Sequence, residues 1–209
     1  MNRIFQAAAL AAALIAVACT PEAAAPAPAT GDMSLGPATA KVTIIEYAAP
    51  SCPICKKFHD EVYKGLKTKY IDTGKVRFVM KEMPSHNPPV DVAVFLLARC
   101  AGKDKYFAVI DAAFDKQGEI ELAGASPGGA KPALVALAKS AGGLSAGQAN
   151  ACMNDPAGMK RIITTADEDM RTKNIGGTPT LFLNGQEMGD DAFNLAAFSA
   201  AIDAKLAGK

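Results

Sequence analysis

The cysteine pair in "AAPSCPICKKFH", residues 48–59, constrains the fold more than any other feature of this sequence. Before it, "KVTIIEY" (residues 41–47) is an apolar, β-branched run typical of a buried strand. Cys52 then occupies a helix N-cap and Pro53 the first helical position, where a missing N–H costs nothing. Apolar residues at helical spacing predict a helix from Cys52 to about Tyr70, and "KVRFVMKE" (residues 75–82) predicts a second strand. The order indicates a right-handed βαβ unit with the cysteines at the carboxyl end of its first strand.

This placement predicts different chemistry for the two cysteines. Unpaired N–H groups and a partial positive charge at a helix N-terminus stabilise a thiolate, so we expect Cys52 to be an acidic, exposed nucleophile. Cys55 lies one turn further in and should be less accessible. It is therefore placed to attack a mixed disulfide at Cys52 and release the substrate.

Other uses of a Cys-x-x-Cys pair fit the sequence less well. Attachment of a c-type haem needs His after the second cysteine, and Lys56 stands there. A structural zinc site needs two more ligands, but Cys100 and Cys152 are isolated and His59 is expected on the solvent side of the first helix. A purely structural bridge would close a very small loop and stabilise little. We therefore predict no metal and no bound cofactor.

The N-terminus predicts export. Residues 1–18 place Arg3 ahead of a short apolar run, which is typical of a signal peptide. Its removal changes 22 Lys+Arg against 21 Asp+Glu into 21 against 21, so charge gives no case for nucleic-acid binding. The segment "AVAC" fits either a lipobox, in which Cys19 carries the lipid, or a cleavage site just before Cys19. We favour lipidation because Cys19 is the odd one of five cysteines, although Ala16 replaces the usual Leu. Residues 19–33 then form an Ala/Pro-rich tether.

A second motif lies far along the chain, in "NIGGTPTLFLNGQEMG", residues 174–189. It predicts a loop at Thr178-Pro179, a strand, a tight turn at Asn184-Gly185 and a second strand, followed by a helix over 192–206. Cys-Pro-x-Cys at a helix start together with a later Gly-Thr-Pro-Thr before a strand resembles the DsbA-like branch of the thioredoxin superfamily. The resemblance covers residues 40–207. It implies an α/β protein, a thioredoxin fold with an inserted all-helical domain.

The resemblance also assigns roles to single residues. It implies that Pro179 is a cis-proline facing the cysteines and that the backbone of Thr178 pairs with an extended substrate segment. Glu46 falls where the family places a buried acidic residue, which implies proton exchange with Cys55, with Lys81 as a candidate partner. The alternative is a strand-end Glu46 whose carboxylate reaches solvent.

Between the two motifs the sequence is predicted to be helical. The resemblance places an inserted helical domain at residues 88–172, between the two parts of a thioredoxin-like domain, 34–87 and 173–209. We expect helices near 88–101, 103–117, 131–141, 145–153 and 156–172. The last helix has an expected buried stripe of Met159, Ile162, Ile163, Ala166 and Met170. In an exported protein we interpret Cys100 and Cys152 as a structural disulfide, because a second redox pair would lack the helix-start context.

Together these features predict an exported thiol–disulfide oxidoreductase that introduces disulfides into periplasmic proteins. Expected partners are unfolded or misoxidised exported proteins, a quinone-linked membrane partner that reoxidises the cysteines, and the membrane itself through a lipid on Cys19. We expect a monomer. Two alternatives stay open: a periplasmic reductase or isomerase held as a dithiol, which Thr178 favours within the family, and a dithiol module that binds copper or zinc. The dipeptide Pro53-Ile54 departs from the Pro-His of strongly oxidising members, so Cys52 should be less stabilised as a thiolate.

Overall fold

A five-stranded mixed sheet forms the centre of the computed structural model, which describes residues 26–208. The sheet order is β1-β3-β2-β4-β5. The strands are β1 (Met33–Leu35), β2 (Val42–Ala48), β3 (Val76–Glu82), β4 (Thr180–Leu183) and β5 (Gln186–Glu187). Strands β2 and β3 are parallel, while β1, β4 and β5 each pair antiparallel with a neighbour. The predicted βαβ unit and C-terminal hairpin are confirmed.

The first helix, α1, connects the two parallel strands. It begins with Pro53–Phe58 and continues through His59–Tyr63, Lys64–Leu66 and Lys67–Ile71 without interruption, with π-helical turns in the second and fourth segments. Its apolar side packs on the sheet and on the C-terminal helix α8 (Leu195–Leu206), which follows a short 3-10 turn at Asp190–Phe193. The buried Tyr70 hydroxyl donates a hydrogen bond of 3.2 Å to the carbonyl of Ser199, so the two helices are also linked by polar contact.

Helices fill the long connection between β3 and β4, as predicted. They are α2 (Pro88–Cys100), α3 (Lys103–Asp115), α4 (Gln117–Gly124), α5 (Lys131–Leu137, continuing through Ala138–Gly142), α6 (Ala146–Met153) and α7 (Pro156–Lys173). Helix α4 was not predicted, because only Ile120 in it is buried and the segment has little apolar periodicity. A disulfide joins Cys100 at the end of α2 to Cys152 in α6, with their Cα atoms 6.3 Å apart. No helix among residues 26–208 has both the length and the apolar character needed to cross a bilayer.

The expected buried stripe of α7 is wrong in part. Ile162 and Ala166 are buried, but Met159, Ile163 and Met170 are 40%, 43% and 42% exposed. The periodicity finds the apolar side of the helix, but α7 has a narrow contact with the rest of the protein. The three exposed side chains instead line an open groove beside the start of α2.

Packing of the chain begins earlier than the expected boundary between tether and folded part. The Arg99 guanidinium donates to the carbonyls of Ala29 and Gly31, and the Ala29 N–H donates to the carbonyl of Arg99. Residues 29–31 are therefore held against the end of α2 before β1 begins. The predicted signal peptide and Cys19 lie outside the described residues.

Candidate active site

Cys52 and Cys55 lie where β2 ends and α1 begins. Cys52 is the N-cap of α1, with extended backbone (φ −76°, ψ 120°), and Pro53 starts the first turn. The Cys52 sulfur accepts a hydrogen bond of 3.3 Å from the Cys55 N–H. Both cysteines are free thiols in this structure. A helix start that would ordinarily be capped by an oxygen is capped here by sulfur.

The environments of the two thiols move their pKa values in opposite directions. Hydrogen bonds lower the pKa of Cys52 to about 5, the largest effect being the bond with the Cys55 side chain, followed by Thr178 and the N–H groups of Cys55 and Ile54, against opposing burial. Burial raises the pKa of Cys55 far above its ordinary value, and the nearby Cys52 and Glu46 raise it further. At neutral pH one sulfur is therefore a thiolate and the other a thiol.

The loop before β4 covers the Cys52 sulfur. The Thr178-Pro179 peptide bond is cis, and the Thr178 carbonyl oxygen lies 3.3 Å from Cys52 Sγ. The Thr178 hydroxyl is 2.8 Å from the Ser85 hydroxyl, which fixes the loop to the segment after β3. The expectation that Cys52 is exposed is wrong, since only 5% of it is accessible and Cys55 is fully buried. Ile54 between them is 51% exposed, so an apolar side chain borders the site.

Glu46 lies behind the cysteines, inside the protein. It sits in β2 opposite Met80 of β3 and Leu181 of β4 and is 4% exposed, so the alternative of a solvent-reaching carboxylate is wrong. Burial, with a smaller contribution from Cys52, raises the pKa of Glu46 to about 8. The carboxyl group is therefore mostly protonated at neutral pH and can donate a proton.

The expected pairing of Glu46 with Lys81 is wrong. Lys81 lies one residue past Met80, and successive strand residues point to opposite faces of a sheet. Its ammonium group instead contacts both carboxylate oxygens of Asp32 at 2.7 Å. Glu46 Oε1 has no hydrogen-bond partner within residues 26–208.

Two residues that support the site were missed by sequence reasoning. The fully buried Asp91 carboxylate accepts hydrogen bonds from the Ser51 N–H (2.7 Å), the Ser51 hydroxyl (2.9 Å) and the Ser85 N–H (3.0 Å). It thereby ties the turn before Cys52 to the segment that holds Thr178. One sequence signal could have indicated this role: Asp91 is an acidic residue in the first turn of a helix that begins with two prolines.

The second missed residue is Gln117, at the start of α4. Its side-chain amide donates to the carbonyls of Pro50 (2.6 Å) and Cys52 (3.0 Å). These bonds fix the backbone that carries the nucleophile. No local pattern in the sequence indicates this role, because it depends on how α4 packs against the turn before α1.

The expectation that His59 is a surface residue is wrong. It is 3% exposed, and its Nε2 lies 3.2 Å from Asp111 of α3. Ligand atoms of His59, Asp60 and Asp115 lie within 4.8 Å of one another, a spacing that a metal ion could use. Lys64 already contacts both of these carboxylates at 3.0 Å, and Lys56 contacts Asp60 at 2.8 Å, so their charge is neutralised by the protein itself.

The protein combines a five-stranded sheet, a helical insertion between β3 and β4, and a cysteine that caps α1 beside a cis-proline. This combination defines the DsbA-like form of the thioredoxin fold. The chain belongs to the thioredoxin family, whose model matches residues 29–204. The structure resembles the crystal structure of Wolbachia pipientis alpha-DsbA1, with a TM-score of 0.75 and 25% identity over 87% of this chain and 94% of that chain.

Curated relatives carry related names. A putative protein-disulfide oxidoreductase of Rickettsia bellii is 28% identical over 82% of this chain. The disulfide bond formation protein D of Bacillus subtilis is 25% identical over 86% of this chain and 79% of its own length. The chain spans 63% of the length of the Rickettsia bellii protein.

Proposed function

We propose that this chain is an exported thiol–disulfide oxidoreductase that introduces disulfides into periplasmic proteins through Cys52-Pro53-Ile54-Cys55. One observation carries the proposal: two thiols one helical turn apart, with a low pKa at Cys52 and a high pKa at Cys55, beneath the loop at Thr178. This is the arrangement that thiol–disulfide exchange requires, because one sulfur must leave easily as a thiolate and the other must hold a proton.

The first chemical step breaks the disulfide of the oxidised protein. A substrate thiolate attacks the Cys52 sulfur, a mixed disulfide forms, and the electron pair of the old bond moves to the Cys55 sulfur. Because a thiolate is strongly disfavoured at that buried position, Cys55 takes a proton from the Glu46 carboxyl group.

The second step completes the oxidation of the substrate. Another substrate thiolate attacks the substrate sulfur of the mixed disulfide, and Cys52 leaves as a thiolate. Two electrons have then moved from the substrate to the cysteine pair. If Cys55 attacks the mixed disulfide first, the Cys52–Cys55 disulfide forms again and the substrate leaves as a thiolate. The same attack is the second step of a reductase, whose first step is attack of the Cys52 thiolate on a substrate disulfide.

The substrates we propose are unfolded or misoxidised exported proteins. An extended segment of such a protein would pair with the backbone of Thr178 beside Pro179, by strand addition. A quinone-linked membrane partner would reoxidise the cysteines, and a lipid on Cys19 would hold the monomeric protein at the membrane.

The state of the cysteines in the cell tests the direction of the reaction. Thiols would be blocked by acid quenching and alkylation, and the Cys52–Cys55 redox state read from the mass shift. A mainly disulfide population is expected. A mainly dithiol population would overturn the oxidase proposal in favour of a reductase or isomerase, to which Thr178 before Pro179 points. Protection from alkylation that a chelator removes would indicate a metal-binding dithiol.

The roles of the two cysteines are tested by a matched pair of variants. Cys52→Ser should abolish oxidation of a dithiol peptide. Cys55→Ser should accumulate mixed disulfides through Cys52 when it meets a substrate disulfide, because the Cys52 thiolate attacks that bond, the second substrate sulfur leaves as a thiolate, and no Cys55 thiol remains to release the adduct. Adducts trapped on Cys55 would reverse the assignment.

A further inference from the structure

A small cavity lies behind Glu46, between α1, β3 and α3. Its volume is about 10 Å³, which is close to the lower limit for one water molecule. Apolar side chains form most of its wall. The polar groups that line it are Glu46 from β2, His59 and Tyr63 from α1, and Asp111 from α3.

Two of these groups have buried polar atoms without partners. Glu46 Oε1 and the Tyr63 hydroxyl make no hydrogen bond to any residue in the described part of the chain. Tyr63 is 3% exposed and Glu46 is 4% exposed. An unsatisfied buried polar group costs about 1 to 3 kcal/mol, so two such atoms at one cavity favour a bridging water strongly.

Asp111 connects this cavity to solvent. Its side chain is 32% exposed, and one of its oxygens is held 3.2 Å from His59 Nε2. Asp111 also contributes to the raised pKa values of both Glu46 and Tyr63, which places its charge close to each of them. Asp111 therefore lines the cavity and also contacts solvent.

We propose that one water molecule bridges Glu46, Tyr63 and Asp111, and that the proton of Glu46 is exchanged with solvent through this water and Asp111. The proposal rests on the proposed function, because it supplies the proton that Glu46 gives to Cys55. After that transfer Glu46 is a carboxylate. Asp111 takes a proton from solvent and gives it to the water as the water gives one to Glu46, so the site returns to its starting charge.

The charged and titratable groups around the route come from three elements. Cys52 caps α1, Cys55, His59, Asp60 and Tyr63 lie on α1 with Asp72 at its end, Glu46 lies on β2 and Asp111 on α3; the facing residue of β3, Met80, is apolar. Asp111 acts through Glu46 and touches no reacting sulfur. Tyr63 positions the water and His59 positions Asp111.

A high-resolution structure of the reduced protein tests the water site without reference to activity. The expected result is one ordered water within hydrogen-bond distance of Glu46, Tyr63 and Asp111. Electron density that leaves the cavity dry, or a water that does not contact both Glu46 and Asp111, overturns the proposal.

Kinetics tests the proton route. We would start the reduction of the oxidised protein with glutathione in H₂O and D₂O from pH 5 to 9, and follow by infrared absorption of the Glu46 carboxyl group how fast Glu46 regains its proton after giving it to Cys55. Asp111→Asn should slow this reprotonation by about 10-fold or more and enlarge its solvent isotope effect, as for loss of a proton-transfer group. Tyr63→Phe, which removes one hydroxyl, should show a smaller change of the same kind.

The control is Asp115→Asn, one turn further along α3, where the carboxylate pairs with Lys64 at 3.0 Å and does not line the cavity. It should behave as the parent. Equal rates and isotope effects in Asp111→Asn and Asp115→Asn would overturn the relay. If the parent itself reacts no faster than Cys52→Ser, the proposed function fails instead.

Discussion

Ile54 stands beside the nucleophile with half of its surface exposed, and it adds neither charge nor a hydrogen-bond donor near the Cys52 sulfur. Ile54→His should make the protein a stronger oxidant. A histidine here would stabilise the Cys52 thiolate of the reduced form and leave the disulfide form nearly unchanged. Each pKa unit is worth about 1.4 kcal/mol, or about 30 mV in a two-electron couple. Equilibration with glutathione buffers would measure the reduction potential.

Ile163→His on α7 is the matched control for this change, because Ile163 is 43% exposed and lies outside the active site. Its reduction potential should equal that of the parent. A potential in Ile54→His that is unchanged or lower would show that this position does not set the redox balance, and would direct attention to Thr178 and Glu46.

Glu46 makes the stability of the protein depend on pH with a predictable sign. Its pKa rises from 4.5 to about 8 on folding, so its stabilising contribution is complete below about pH 4.5 and is lost as pH rises towards 8. The slope is about 1.4 kcal/mol per pH unit. Glu46→Gln cannot lose a proton, so the variant should become increasingly more stable than the parent across this window. Urea unfolding of both proteins at several pH values would measure the difference.

The oxidation state provides a check on this prediction. In the dithiol form the pKa of Cys52 falls from 9.0 to about 5, which adds stability as pH rises from 5 to 9 and offsets the effect of Glu46. In the disulfide form Cys52 does not titrate, and burial, with a smaller contribution from the charge of Asp111, keeps the pKa of Glu46 high. The parent should therefore lose stability with pH more visibly when oxidised. A flat difference between oxidised parent and Glu46→Gln would contradict the burial argument.

At the scale of elements, the Cys100–Cys152 disulfide closes a loop with a sequence separation of 52 across the helical insertion. By the chain-entropy model such a loop contributes about 4 kcal/mol. The double variant Cys100→Ala/Cys152→Ala should lose stability of this order in urea unfolding while it keeps activity, because both cysteines lie outside the Cys52 site. A loss below about 1 kcal/mol would show that the disulfide constrains the unfolded chain little.

Helices and strands were predictable from the sequence where apolar residues recur at a regular spacing or where a proline or a turn sequence marks an end. Strands β2 and β3 and helix α1 follow from apolar patterns and from Pro53, and the hairpin follows from Asn184-Gly185. The surroundings of the site were not predictable in the same way. The contact of His59 with Asp111 spans 52 positions and the contact of Lys81 with Asp32 spans 49, so neither leaves a local pattern.

At the scale of the whole molecule, the helical insertion is part of the active site. Asp91 of α2 and Gln117 of α4 hold the backbone of residues 50–52, and Asp111 of α3 lines the cavity behind Glu46. The thioredoxin-like part therefore does not contain a complete site by itself. This explains why a motif search finds the two cysteines and the Thr178-Pro179 loop but not the residues that position them.

The described residues 26–31 make none of the contacts that build the active site, so the role of the N-terminal segment can be tested on its own. Arg99, in the last turn of α2, holds the chain at Ala29 and Gly31. Any tether therefore ends there, at the opposite end of α2 from Pro88. Cys19→Ser should move the protein from the membrane fraction to the soluble periplasmic fraction with its activity intact, because a lipid on Cys19 would be the attachment. Fractionation would measure the change of location, and mass spectrometry would show whether the N-terminus is acylated. Oxidation of a dithiol peptide would measure the activity.

Ser34→Ala is a suitable control for Cys19→Ser, because it changes a small polar residue at the exposed edge of β1 and leaves Cys19 in place. It should stay in the membrane fraction with the parent. A parent protein that is already soluble and carries no acyl chain would contradict lipidation and favour cleavage before Cys19. A soluble but inactive Cys19→Ser would instead show that activity depends on attachment to the membrane.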